Sequence, residues 1–196
     1  MGQTVETKKE ATELPFLLFP PFPHYLPMLF PTAADLAALH EARELLLGRG
    51  LAVLAAWVLA NLLVSGYCLA HAHRYRMPYY FHGMNVGWAL VNAGLAFWGI
   101  LHLHPLAPPG LRLADIVQEQ LFNENLFLLN AGLDVAYIMA GFYLRAQAAA
   151  PDQPYPARLV GFGRSLWVQG GFLLVFDAGM WALLHEQGKN WIPLLT

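Results

Sequence analysis

The chain has 196 residues, of which 57% are hydrophobic and only 12% charged, with a net charge of -2. A soluble domain carries roughly 25% charged residues, so this balance points to lipid as the main solvent and excludes the basic footprint of a nucleic-acid binder. A single cysteine, Cys68, excludes an internal disulfide and any Cys-x-x-Cys metal or redox site.

Residues 1–31 form the first segment. The opening fourteen are polar, and the stretch from Pro15 to Pro31, PFLLFPPFPHYLPMLFP, holds six prolines. Internal prolines remove helix donors and clash with the preceding turn, so this apolar stretch reads as an extended arm lying on a hydrophobic surface. The h-region of a signal peptide would be helical and poor in proline. Such an arm needs something to hold it, and other membrane-protein subunits are the expected contact.

Residues 32–48 read as a short amphipathic helix lying at a membrane interface. Thr32 with Asp35 makes a capping-box-like start, Gly48 and Gly50 are expected to end it, and Asp35, Glu41, Arg43 and Glu44 are expected to face the polar side.

Residues 49–196 form the main domain. Four nearly uncharged windows, Gly50–Ala70, Gly83–Leu101, Asn125–Leu144 and Ser165–Leu184, are each about 20 residues long, enough for the ~30 Å hydrocarbon core. A segment in lipid must satisfy its own backbone hydrogen bonds, which makes each window a helix. The expected helices are 50–71, 82–103, 121–146 and 163–186. The fold class is an all-α membrane protein, a four-helix bundle preceded by the arm and the interfacial helix. Arg74, Arg76, Arg145 and Arg164 sit at window ends as interfacial anchors. Arg74, Arg76, Arg145, Arg158 and Arg164 fall on one side, and Arg43, Arg49, Arg112 and Lys189 on the other. Positive charge marks the inner face, so both termini are expected outside a bacterial inner membrane.

Every window carries a polar stripe at helical spacing. Asn61, Ser65 and Cys68 mark the first, and Asn85 and Asn92 the second. Asn130, Asp134 and Tyr137 mark the third, Gln169 and Asp177 the fourth. Such spacings place each set on one helical face, and four stripes are expected to turn inwards. Counting from the helix ends predicts one buried layer built from Asn61, Asn92, Asn130, Asp134, Tyr137, Gln169 and Asp177. The amides read as interhelical glue. The two aspartates are costlier, about 2.5–3.5 kcal/mol each at a helix centre, and demand a proton, a cation, a basic partner, or contact with Arg145 or Arg164. The tetrapeptide NAGL occurs at Asn92–Leu95 and again at Asn130–Leu133, with DAGM at Asp177–Met180, which suggests two duplicated helical hairpins.

His-x-His occurs twice, at His71/His73 and His102/His104. Helical neighbours two apart point to different sides, so neither pair chelates. A haem needs histidines from facing helices, and His71 with His82 is the adjacent-helix pair at similar depth. No cofactor is expected, haem or metal at these two residues being the alternative. Nucleophile-elbow, zinc-protease, phosphate-loop and dinucleotide motifs are missing from the sequence, so no catalytic residue is assigned and the chain reads as non-enzymatic.

Together, VLAAWVLANLLVSG, FHGMNVGWALVNAGLAFWG, NAGLDVAYIMAGFYL and GFGRSLWVQGGFLLVFD resemble an uncharacterised family of four-helix bacterial membrane proteins, over about residues 50–185. The resemblance implies the fold and carries no activity. The proline-rich arm departs from it, because a cleavable signal sequence would be expected there. The functional expectation is an accessory or scaffold subunit of a larger membrane complex, in contact with the bilayer and other subunits and not with nucleic acid. Two alternatives stand beside it: a small proton or cation transporter using Asp134 and Asp177, and a subunit associated with haem or quinone.

Overall fold

The computed structural model describes residues 31–189, so the proline-rich arm lies outside the described residues. Four helices account for nearly all of them: α1 Ala33–His71, α2 Met77–Leu101, α3 Leu113–Ala148 and α4 Pro156–Gly188. All four are long and apolar enough to cross a membrane. No strand occurs among the described residues.

Each helix contains its predicted window, but three of the four run well beyond it. The sequence limits of 50–71, 82–103, 121–146 and 163–186 were set by hydrophobicity, whereas the observed starts are set by capping and proline. Thr32 caps α1: its hydroxyl accepts from the Asp35 amide at 3.2 Å, and the Asp35 carboxylate accepts from the Thr32 amide at 2.9 Å. Proline sits in the first turns of α2 and α4, where its missing donor costs nothing. Arg112 precedes α3, and its amide and guanidinium both donate to Asp115.

The separate interfacial helix expected over residues 32–48 does not exist. α1 is continuous for 39 residues, about 58 Å at about 1.5 Å per residue, or nearly twice the ~30 Å hydrocarbon core. Gly48 and Gly50 lie inside it. A Cβ on Gly50 would meet the Met180 sulfur and methyl at 2.7 Å, so this glycine admits a side chain of α4 instead of ending a helix. Arg43 and Glu44, expected on the polar face, are buried. Arg43 pairs with Glu119 and donates to the Ile116 carbonyl at 3.3 Å, while Glu44 accepts from the His104 amide at 2.7 Å. His40 bonds the His104 carbonyl through Nε2 at 2.7 Å. These contacts clamp the first half of α1 to the start of α3 and to the loop between α2 and α3.

The helices run up, down, up, down, with turns 72–76 and 149–155 at one end and the loop 102–112 at the other. α1 packs on α2, α3 packs closely on α4, and α2 lies against α4, whereas α2 and α3 hardly meet. Gly141 and Gly163 set the α3–α4 approach: a Cβ on either would lie within 2.8 Å of the other's carbonyl oxygen. Small residues of this kind let helix backbones approach closely.

Candidate functional site

The polar residues expected to form one layer form two. Gln169 of α4 is the hub of the first. Its amide nitrogen donates to Asn61 Oδ1 at 2.8 Å and to Asn85 Oδ1 at 3.0 Å, and its oxygen accepts from Trp57 Nε1 at 3.0 Å. Ser165 Oγ donates to Asn85 Oδ1 at 2.6 Å, and Asn61 returns its amide to the Trp57 carbonyl at 2.9 Å. Trp57 stacks flat on Phe172 at 3.9 Å. Asn61, Asn85, Ser165 and Gln169 are all buried, and this amide cluster ties α1, α2 and α4 together.

The second group lies further along the bundle. Asp177 is eight residues beyond Gln169 on α4, and Asn92 seven beyond Asn85 on α2, a displacement of roughly 10–12 Å at helical rise. Here, where α2 and α3 hardly meet, lies a cavity of about 490 Å³ lined by all four helices, within the usual ~300–1,000 Å³ range of ligand pockets. Asn92, Asn130, Asp134, Tyr137 and Asp177 line it, together with Trp88. Five of the seven predicted layer residues therefore share one site, and Asn61 and Gln169 belong elsewhere. Register arithmetic places helices only to within a turn or so, and that error exceeds the separation of the two groups.

Asp134 of α3 and Asp177 of α4 both line this wall and are both buried. Among the described residues neither aspartate joins an ion pair. The routes to Arg145 and Arg164 are unused, since Arg145 lies 4.2 Å over the Trp167 ring and Arg164 is exposed. Arg74 and Arg76 are exposed in the turn between α1 and α2. Three side-chain atoms of the wall are buried with no partner: Trp88 Nε1, Asn92 Nδ2 and Asp134 Oδ2. Asn92 and Asp134 are each 2% exposed. Trp88 and Asn92 are one turn apart on α2, Asp134 and Tyr137 one turn apart on α3, and the Trp88 and Tyr137 rings meet edge to face at 4.8 Å.

The remaining wall is apolar. Leu54, Phe127, Leu173 and Phe176 form its floor, and the exposed side chains of Val91, Leu95, Trp98, Phe122, Leu126 and Leu133 form its rim. The cavity thus opens sideways between α2 and α3.

Sequence reasoning missed Trp88. Its signal was position, since it shares the inner face of α2 with Asn92 at i and i+4. The histidine pair His71 and His82 is engaged separately. His71 bonds the Tyr67 carbonyl at 2.9 Å at the exposed end of α1, and His82 bonds Ser65 Oγ at 3.3 Å. Among the described residues no three His, Cys, Asp or Glu side chains gather as metal ligands.

A family model described as a family of unknown function (DUF6992) matches residues 53–178. The match covers more than half of the chain, which belongs to this family. Every polar residue of the cavity falls inside the matched region, and the His40–Arg43–Glu44 clamp falls outside it. No curated protein and no solved structure matches the chain.

Proposed function

We propose that this member of the DUF6992 family is a multi-pass membrane protein that holds a small lipid-soluble molecule in the cavity between α2 and α3. In this reading it is a non-enzymatic accessory subunit of a larger assembly in the bacterial cytoplasmic membrane. The observation that carries the reading is the set of unmet polar atoms in the cavity wall, Trp88 Nε1, Asn92 Nδ2 and Asp134 Oδ2. An unpaired buried polar group costs about 1–3 kcal/mol, and a bound molecule with complementary groups removes that cost. The apolar rim supplies the route, since a cavity open to the side is entered from hydrocarbon.

The transporter reading has the carboxyl pair in its favour, but the amide cluster stands against it. A conducting path needs access from both ends of the bundle. Beyond the pair, towards the turns 72–76 and 149–155, lie Gln169, Asn61 and Asn85 in mutual hydrogen bonds. Carboxamides neither take up nor release protons, and these leave no free site for a passing ion. A site reached from one side binds; it does not conduct.

The test is to purify the full chain from its native membranes in mild detergent, extract it with organic solvent and identify what co-purifies. A lipid-soluble small molecule at near-stoichiometric amount is expected. Recovery of bulk phospholipid alone would overturn the reading. Proton flux into liposomes that falls in both Asp134→Asn and Asp177→Asn would replace it with transport.

A further inference from the structure

The chemistry of the unmet groups narrows the class of molecule. Resting on the binding reading above, we infer that the cavity is a quinone site, taking a planar ring with oxygen substituents and an apolar tail. Trp88 Nε1 and Asn92 Nδ2 are both donors, both buried without a partner, and one turn apart on α2. A carbonyl oxygen has two lone pairs and no hydrogen, so one such oxygen can accept from both. An ammonium group brings only donors and leaves both N–H groups unmet. A hydrocarbon chain satisfies neither. A charged phosphate headgroup would have to leave the interface and enter an apolar cavity beside two carboxyls, at a heavy desolvation cost.

The reduced form fits the same place. A hydroxyl oxygen also accepts twice, and its hydrogen can be donated to Asp134 Oδ2, the third unmet atom. The oxidised ring thus meets the two donors and the reduced ring all three atoms, without moving a helix, and only binding is assigned to the site. Shape agrees with chemistry. The Trp88 and Tyr137 rings and the edge-to-face pair Phe127–Phe176, centroids 6.2 Å apart, give the cavity flat aromatic surfaces for a ring. Leu95, Trp98 and Leu126 at the lateral rim give an isoprenoid or alkyl tail its exit into lipid.

The experiment uses the full chain in phosphatidylcholine nanodiscs, titrated with decylubiquinone, its reduced form and decylbenzene, which has a similar tail and a ring without oxygens. Tryptophan quenching reads the quinone directly, and competition against it reads the others. Saturable quenching is expected, displaced by the reduced form and far less well by decylbenzene. Asn92→Leu, with its fold checked by circular dichroism and gel filtration, is expected to weaken quinone binding about five- to tenfold while leaving decylbenzene unchanged, as the loss of one hydrogen bond implies. Decylbenzene competing as well as the quinone, or Asn92→Leu binding as the parent does, would overturn the quinone assignment and leave the cavity reading standing. Binding of no probe at all would overturn both.

Discussion

The amide cluster around Gln169 and the carboxyl site around Asp134 are built from similar materials and end in opposite conditions. Both are buried polar groups contributed by several helices at helical spacing. In the amide cluster Gln169 uses its oxygen and its nitrogen on three side chains from two other helices, and none of its members is without a partner. In the carboxyl site three atoms are unmet and a cavity adjoins them. The difference lies in what packs alongside. α2 bonds to α4 in the amide cluster through Asn85, Ser165 and Gln169, whereas α2 and α3 hardly approach each other along their length and touch at the carboxyl site through the Trp88 and Tyr137 rings. A satisfied polar cluster is structure; an unsatisfied one beside a cavity is capacity for something that is not the protein.

Breaking the hub of the closed cluster gives the largest expected effect on stability. Gln169→Leu removes hydrogen bonds to Trp57, Asn61 and Asn85 and leaves their polar atoms buried. Hydrogen bonds between membrane helices average ~0.6 kcal/mol each, so a loss of about 2 kcal/mol is expected. Reversible unfolding in detergent or by steric trapping measures it, and an unchanged stability would remove the structural assignment of this cluster. Ligand retention in the same variant should persist wherever the fold does, because the cavity lies on the far side of Leu173.

Trp57→Phe tests the edge of the same cluster with a smaller change. The phenyl ring keeps the stacking against Phe172 and loses only the donor to Gln169 Oε1. The expected cost is about 0.6 kcal/mol. A cost approaching that of Gln169→Leu would mean that packing of the indole, and not its hydrogen bond, holds α1 in place.

The two regions were not equally readable in the sequence. Helix existence was, because a run of about 20 uncharged residues has one solution in lipid. The residues heading the repeated tetrapeptides, Asn92, Asn130 and Asp177, all line the cavity. Depth was not readable. Helices that start at different distances outside the apolar windows cannot be aligned by counting, and that merged Asn61 and Gln169 with the carboxyl site. The clamp was hidden for a related reason: Arg43 and Glu44 look like solvent-facing charges until Ile116, Glu119 and His104 are brought against them. The gap between α2 and α3 was also invisible, since a missing contact leaves no pattern in a chain. Without it, Trp88 is one more apolar-face aromatic.

The smallest effect on stability is the most informative, because its sign separates the two regions. Asn92 is as deeply buried as Gln169, yet its Nδ2 has no partner. In the empty protein, Asn92→Leu therefore removes an unmet donor and adds apolar contact. Its stability should change by less than about 0.5 kcal/mol, on the favourable side if on either, since replacing an unsatisfied buried polar group by an apolar one is neutral or stabilising. A site kept for binding carries such a cost in the free state and recovers it on occupation. Equilibrium unfolding of ligand-free Asn92→Leu beside Gln169→Leu measures the contrast directly. A destabilisation of Asn92→Leu comparable to that of Gln169→Leu would show that Asn92 is structural glue, and the carboxyl site would then be a second closed cluster.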